Sequence, residues 1–293
     1  MSQSTIRSWF EKARKKGFAL GAFNAANIET VKAIIQAAQH LKSPVIIESS
    51  SGETAYIDGE NLVDLVANAR EETGLPIFLN LDHAHDLKTI KELIQAGYDL
   101  IHYDGSETPL KANMRNTKKV VGWARQARRG ILVEAEIDHI TGSSVPQLET
   151  SVASIQKQGQ YTDPETAAYF VRMTGVDILA AFVGNVHGAY KEPKTLDLDR
   201  LHQISQKTHC FLSLHGGSTI PAGAIKTAIK VGGIVKVNVN TELRMAFRNT
   251  LEKTLKTSDE VAVYKLMPPV IEAVQKVVEQ KMKLFGSVGQ ALR

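Results

Sequence analysis

Residues 76–86, PIFLNLDHAHD, place a carboxylate and an imidazole side by side, Asp82 and His83, where an apolar run (Ile77, Phe78, Leu79, Leu81) comes to its end. An isolated Asp-His pair can equally be a helix cap followed by a core histidine. Here, however, the same event recurs along the chain, with polar groups closing apolar runs at Asn24, Ser50, Asp104, Glu134, Glu136, His187, His215, Asn238 and Asn240. His83, His187 and His215 are the imidazoles among them. Three protein nitrogens with an open fourth position is the donor set of a catalytic Zn²⁺, and imidazole suits zinc, cobalt or iron better than magnesium. His85 and His102 lie near enough in sequence to support such ligands from behind. Two further stretches, HGGS at 215–218 and NVNT at 238–241, combine glycine, asparagine and hydroxyl groups just before helix-like segments. Such stretches bind phosphate through backbone N–H groups and helix N-termini.

For these groups to meet, the chain must bring the ends of distant segments to one face. Strand-length apolar runs occur at 18–25, 44–50, 76–83, 99–105, 131–137, 177–188, 211–217 and 233–241, separated by segments of helical periodicity. Eight alternations without a linker or a composition shift predict one domain over 1–293, an α/β (β/α)8 TIM barrel, whose active-site residues sit at the carboxyl ends of the strands. A long helix over 270–284, opened by Pro268-Pro269, is expected beyond the barrel, either closing its floor or docking a partner. Residues 138–161, polar and without periodicity, are expected to form a long loop covering the site.

Composition narrows the function. Apolar and charged fractions of 43% and 23% are those of an ordinary globular protein, and a net charge of +4 gives no nucleic-acid footprint. The densest cationic runs, 12–16 and 125–129, read as solvated helix faces, and a weakly basic chain is compatible with a phosphorylated substrate. One cysteine, Cys210, excludes an intrachain disulfide and a thiolate-rich metal site. No apolar stretch has the length of a membrane span or of a signal-peptide core, so a cytoplasmic location is expected.

LDHA at 81–84, DGS at 104–106, VEAE at 133–136, GNVHGAY at 184–190, LHGGS at 214–218 and KVNVNTELR at 236–244 resemble the class II, metal-dependent fructose-bisphosphate and tagatose-bisphosphate aldolases, in the same order and from about residue 17 to residue 286. The resemblance implies reversible cleavage of a phosphorylated ketose to dihydroxyacetone phosphate and an aldehyde. It implies Zn²⁺ on His83, His187 and His215, with Asp104 and Glu136 holding the metal in an alternative, outward position. It makes Asp82 the proton donor at the C4 hydroxyl. It assigns the dihydroxyacetone phosphate half to Gly188, Gly216, Gly217, Ser218, Asn238, Val239, Asn240 and Thr241, with a monovalent cation near the phosphate; Asn24, Ser50 and Lys191 are further substrate-binding candidates. Arg244 falls where similar enzymes place a cation for the distal phosphate, sometimes serving a neighbouring subunit. A homodimer or homotetramer is expected.

The family's GGxED-like pattern after strand five is absent here. Glu149 is the acid left in the middle of that loop and the candidate for the second proton transfer. The departure leaves open another ketose 1-phosphate or a tagatose bisphosphate as substrate. Two other readings stay open: a Schiff-base aldolase using Lys236, and a sugar-phosphate-binding barrel without turnover.

Overall fold

In the computed structural model, which describes residues 5–127 and 130–292, the strands β1 (Leu20–Asn24), β2 (Val45–Ser50), β3 (Ile77–Ala84), β4 (Leu100–Asp104), β5 (Leu132–Glu136), β7 (Ile178–Ala180), β9 (Phe211–Leu214) and β10 (Ile234–Val239) close into a parallel barrel. Strands β6 (Gly142–Pro146) and β8 (His187–Ala189) form a separate parallel ribbon. Arg128 and Arg129, part of the second cationic run, lie outside the described residues.

Alternation along each strand sorts the side chains. One set packs outward against the helices in the main core, for example Ile47, Leu79, Ile101 and Val133. The other set faces the barrel axis. Its lowest layer is apolar: Leu20, Ile46, Phe78, Leu100, Leu132, Ile178, Phe211 and Val235, capped by Ile6, Trp9, Phe10 and Ala13 of the helix Ile6–Lys16. The N-terminal helix thus closes the floor. The C-terminal helix, observed over Pro268–Phe285, instead lies in the outer ring, packing Val274, Val278, Met282 and Phe285 into the main core.

Two residues farther along the same strands the axis becomes polar. Glu48, Asn80, His102, Glu134, Ser213 and Lys236 are all buried, and above them come Asp82, Asp104, Glu136, His215 and Asn238. On β10 the parity changes between Val235 and Lys236, where the register to β9 shifts; a bulge re-aims the residues that follow it.

Two sequence expectations are corrected. The strand expected over 177–188 pairs in the barrel only at Ile178–Ala180, and the chain then turns at Gly184 (φ +96°), where a Cβ would stand 2.4 Å from the Thr195 carbonyl oxygen. The expected patternless loop at 138–161 contains β6 and the helix Val152–Gln158, and anchors Ile140 and Val152 in a small core with Phe182, Val186 and Tyr190. A five-residue ribbon strand, mostly exposed, carries no alternation that a sequence could display.

Candidate active site

The helix after β3, Leu87–Ala96, is capped by Asp86, which accepts from the backbone N–H groups of Lys88 and Thr89. Asp82 is therefore released from the capping role open to it in the sequence. Between Leu81 and Ala84 the register of β3 against β4 shifts, and His83 takes a left-handed backbone (φ +46°). Such a bulge allows neighbouring residues, which would otherwise face opposite sides of the sheet, to serve one site.

His83 Nε2 lies 2.9 Å from His215 Nδ1, and the His83 ring stands 5.0 Å, centroid to centroid, from that of His187. Each ring has its other nitrogen committed. His83 Nδ1 donates to Asp104 (2.9 Å), His215 Nε2 to Glu134 (2.7 Å) and His187 Nδ1 to the Ile140 carbonyl (3.1 Å). These bonds fix the tautomers and leave one lone pair per ring for a ligand. Two imidazole lone pairs facing each other need a proton or a metal ion between them, so the donor set fits a transition-metal cation. His187 stands farther out than the other two: ligand atoms of Asp82, His83, His102 and His215 lie within 4.8 Å of one another, as do those of His83, Asp104 and Glu136. The fully buried Glu136 oxygens and His102 Nε2 have no hydrogen-bond partner, which is a further mark of a cation-binding cluster.

The ionisation pattern follows from this packing. Burial opposes a charge on His83, but the Asp82 and Asp104 carboxylates override it and lift the imidazole to about 10. Burial pushes His215 down to about 4 against the pull of Glu134, and holds His187 well below the ordinary histidine range. Asp82 would be raised by burial, yet His83, His102, His215 and Lys236 keep it well below the usual carboxylate range. It accepts from Asn24 Nδ2 (3.3 Å) and Asn238 Nδ2 (3.1 Å), which fix its plane. Below it Lys236, wholly buried, donates to Glu134 (2.7 Å) and lies 3.6 Å from Glu48; those carboxylates raise its pKa despite burial. Lys236 is wholly buried beneath the cleft and does not line it, so its amine is out of reach of a substrate carbonyl, which counts against the Schiff-base reading.

These groups open into a cleft of about 280 Å³. Asn24, Ser50, Asp82, His83, Asp104, His187, Gly188, His215, Gly216, Ser218, Asn238, Asn240, Thr241 and Arg244 all line it. Gly216 (φ +62°) admits no side chain, since a Cβ would stand 2.3 Å from the Val186 carbonyl oxygen. Arg244 donates to Glu53 (2.6 Å), which also binds Asn24 and Ser50 and so links the cleft mouth to Asp82. Glu136 lies behind the lining, Gly217 packs against the Asn238 carbonyl oxygen, and the side chain of Val239 is in the outer core.

Glu149 and Lys191 are not brought in. They pair with each other at 3.5 Å, with side chains 92% and 68% exposed, and neither lines the cleft. Glu149 lies between β6 and the helix Val152–Gln158, in a segment that folds differently from the patternless loop expected there. Beyond the Asp/His cluster and Arg244, the described titratable groups that line the cleft are His85, Glu107 and His139. Of the buried partners on the axis, Glu48, Asn80 and Ser213 were not named from the sequence. The inward alternation of β2, β3 and β9, which runs through Ile46 and Glu48, through Phe78, Asn80 and Asp82, and through Phe211, Ser213 and His215, is the signal that could have found them.

Comparison with known proteins gives a match of residues 4–290 to the family model described as fructose-bisphosphate aldolase class-II. Fructose-bisphosphate aldolases from Thermus caldophilus and Streptococcus pneumoniae are 36% and 37% identical, over 96% and 99% of this chain and 97% and 100% of theirs. The crystal structure of the YdjI aldolase from Escherichia coli K12 superposes with a TM-score of 0.83 at 30% identity, covering 98% of this chain and 99% of that one.

Proposed function

The chain belongs to the class II fructose-bisphosphate aldolase family, metal-dependent aldehyde-lyases of the retro-aldol type, and we propose that it holds Zn²⁺ on His83, His187 and His215 and cleaves a ketose 1-phosphate to dihydroxyacetone phosphate and an aldehyde. The observation that carries this reading is the juxtaposition, through one bulge, of an oriented carboxylate with the facing imidazole nitrogens of His83 and His215. When bound, zinc would supply a Lewis acid for the negative charge that develops on the C2 oxygen as C3 keeps the bonding pair.

The chain's own residues do the rest. Asp82, kept ionised by the surrounding cations and aimed by Asn24 and Asn238, takes the C4 hydroxyl proton as the C3–C4 bond breaks. The bonding pair stays on C3, and C4 leaves as the aldehyde. A second proton then reaches C3, and this role passes from Glu149 to the groups that line the cleft, Glu107 and His139. Gly188, Gly216 and Ser218, with Asn240 and Thr241, receive the phosphate, and Arg244 at the mouth receives the distal end of the sugar.

Among the described residues no helix is long and apolar enough to cross a membrane. Exposed apolar residues near the helix Val263–Leu266, namely Val261, Val263 and Tyr264, support self-association as a homodimer or homotetramer.

The test is a screen of zinc-loaded protein with dihydroxyacetone phosphate against a panel of aldehydes. Condensation should be lost with EDTA, return with Zn²⁺ or Co²⁺, and leave no borohydride-trapped adduct. Turnover that survives chelation would overturn the reading, and binding without turnover would favour the non-catalytic barrel.

A further inference from the structure

Lys194 lies outside the chemistry described so far, yet it is among the most deeply buried charged side chains, 1% exposed. Its ammonium donates to three main-chain carbonyls: Gly188 (2.8 Å), Gly216 (2.8 Å) and Ser218 (2.5 Å). An ammonium has three N–H donors, and here three carbonyl oxygens take them. The Tyr190 ring lies 5.6 Å away, with its hydroxyl tied to the His187 carbonyl. Burial lowers Lys194 to about 7 against the pull of Glu242. Three carbonyl acceptors call for three N–H donors, which only the ammonium has, so the charged form is the one that fills the cage, and the measurements below are made at about pH 6.5.

The three carbonyls belong to two separate segments. Gly188 lies in the ribbon strand β8, whereas Gly216 and Ser218 follow β9. All three residues line the cleft, and Gly188 and Gly216 both hold positive φ. A cage of carbonyl oxygens is also how backbone replaces the hydration shell of a free K⁺ ion. We propose that the Lys194 ammonium is a built-in monovalent cation that ties β8 to the loop after β9 and positions both for the substrate phosphate, so that this chain needs no free K⁺ or Na⁺ there. Lys194 is on this view a positioning residue: it touches neither metal nor sugar. The inference rests on the assignment of these segments to the phosphate, and it replaces the free cation implied by the sequence resemblance with a side chain.

The first test uses the unaltered protein, zinc-loaded, with all K⁺ and Na⁺ replaced by tetramethylammonium, which is too bulky for the cage. KM for the ketose phosphate should not change. In Lys194→Met, zinc content should hold while KM rises by about tenfold or more, equivalent to about 1.4 kcal/mol, with a smaller effect on kcat. NH4⁺ or K⁺ should then restore KM in the variant and do nothing for the unaltered protein. Hydrogen exchange at residues 185–190 and 215–219 should quicken in the variant and slow again with NH4⁺, whatever the substrate. Lys194→Gln keeps donors without charge and should behave as the Met variant does.

The proposal falls if the unaltered protein requires K⁺ or Na⁺, if the Gln variant keeps the original KM, or if cations alter neither KM nor exchange in the variants. Failure of the aldolase reading looks different, because no ketose phosphate would be cleaved while the exchange response to NH4⁺ remained.

Discussion

Replacing Glu134 by Gln tests whether the metal site depends on a residue that never faces the cleft. Glu134 Oε1 accepts from His215 Nε2 (2.7 Å) and Ser213 Oγ (2.6 Å), and Oε2 accepts from Lys236 Nζ (2.7 Å). An amide has one oxygen to offer. If the oxygen stays with His215, an NH2 group opposes the Lys236 ammonium. If it turns to Lys236, the NH2 group opposes His215 Nε2–H and drives the proton to Nδ1, the nitrogen needed for the metal. Loss of such an orienting partner typically costs about 10–100-fold in metal affinity, or about 1.4–2.7 kcal/mol. Breaking a buried ion pair alone costs about 3–5 kcal/mol. Here the fold should lose less than that. Glu48, 3.6 Å from Lys236 and held well above the carboxylate range by burial and by Asp82, can ionise and take over as counter-charge. Zinc affinity measured by chelator competition should therefore drop by that 10–100-fold factor, and turnover at saturating zinc should recover most of its value. Unchanged zinc affinity in a folded E134Q protein would refute the reasoning.

Asp82→Ala should lower cleavage by about 10²–10⁴-fold at saturating zinc, since it removes the proton acceptor while the bonds that orient His83, His187 and His215 stay in place; normal cleavage would exclude Asp82 from proton transfer. Gly216→Ala forces a side chain into left-handed backbone against the Val186 carbonyl oxygen and should cost at least about 1–3 kcal/mol, read as a lowered Tm together with weaker phosphate binding. Unchanged Tm would show that the turn is free to relax. In the metal-free protein the folded-state pKa of His83, about 10, lies above its ordinary 6.5, so its stabilisation is complete below about pH 6.5 and is lost as pH rises through 10. The bound on that loss is about 5 kcal/mol, at 1.36 kcal/mol per tenfold change, less what solvent at a partly exposed ring screens out. Denaturant melts should fall over this window, and zinc affinity should gain about a decade per pH unit as the proton is displaced. A flat profile in both would remove His83 as the competing site.

Most of the barrel and its upper rim could be read from the chain because both follow simple periods. Buried parallel strands show as apolar runs, and their carboxyl ends show as abrupt polar residues, so Asp82, His83, His187 and His215 were visible as a set. What escaped detection has a common cause. The ribbon of Gly142–Pro146 with His187–Ala189 is short and largely exposed on its first strand, so no burial pattern marks it. The same blindness misplaced Glu149, whose neighbours in space could not be read from a segment without periodicity. Lys194 was missed for a different reason: its partners are carbonyl oxygens, and backbone acceptors leave no residue-type signature.

The interior charges explain why the cluster has affinity for a cation at all. Lys236 holds Glu134 ionised, and Glu134 in turn orients His215, while burial and Asp82 hold Glu48 towards its neutral form. The carboxylates kept ionised on this axis are Asp82, Asp104 and Glu134, against one permanent ammonium, Lys236. That leaves two negative charges uncompensated, and the metal-free state meets half of the deficit by protonating His83, which donates to Asp104 (2.9 Å) and feels the Asp82 charge. A divalent cation bound to the imidazoles supplies that positive charge and releases the proton. The apolar floor formed by Phe78, Leu100 and Phe211 under the N-terminal helix keeps water from screening the exchange from below. Proton and metal therefore compete for one position in a site whose charges are set from beneath, and Asp82 keeps its own charge, and with it its capacity to accept the C4 proton, in either state.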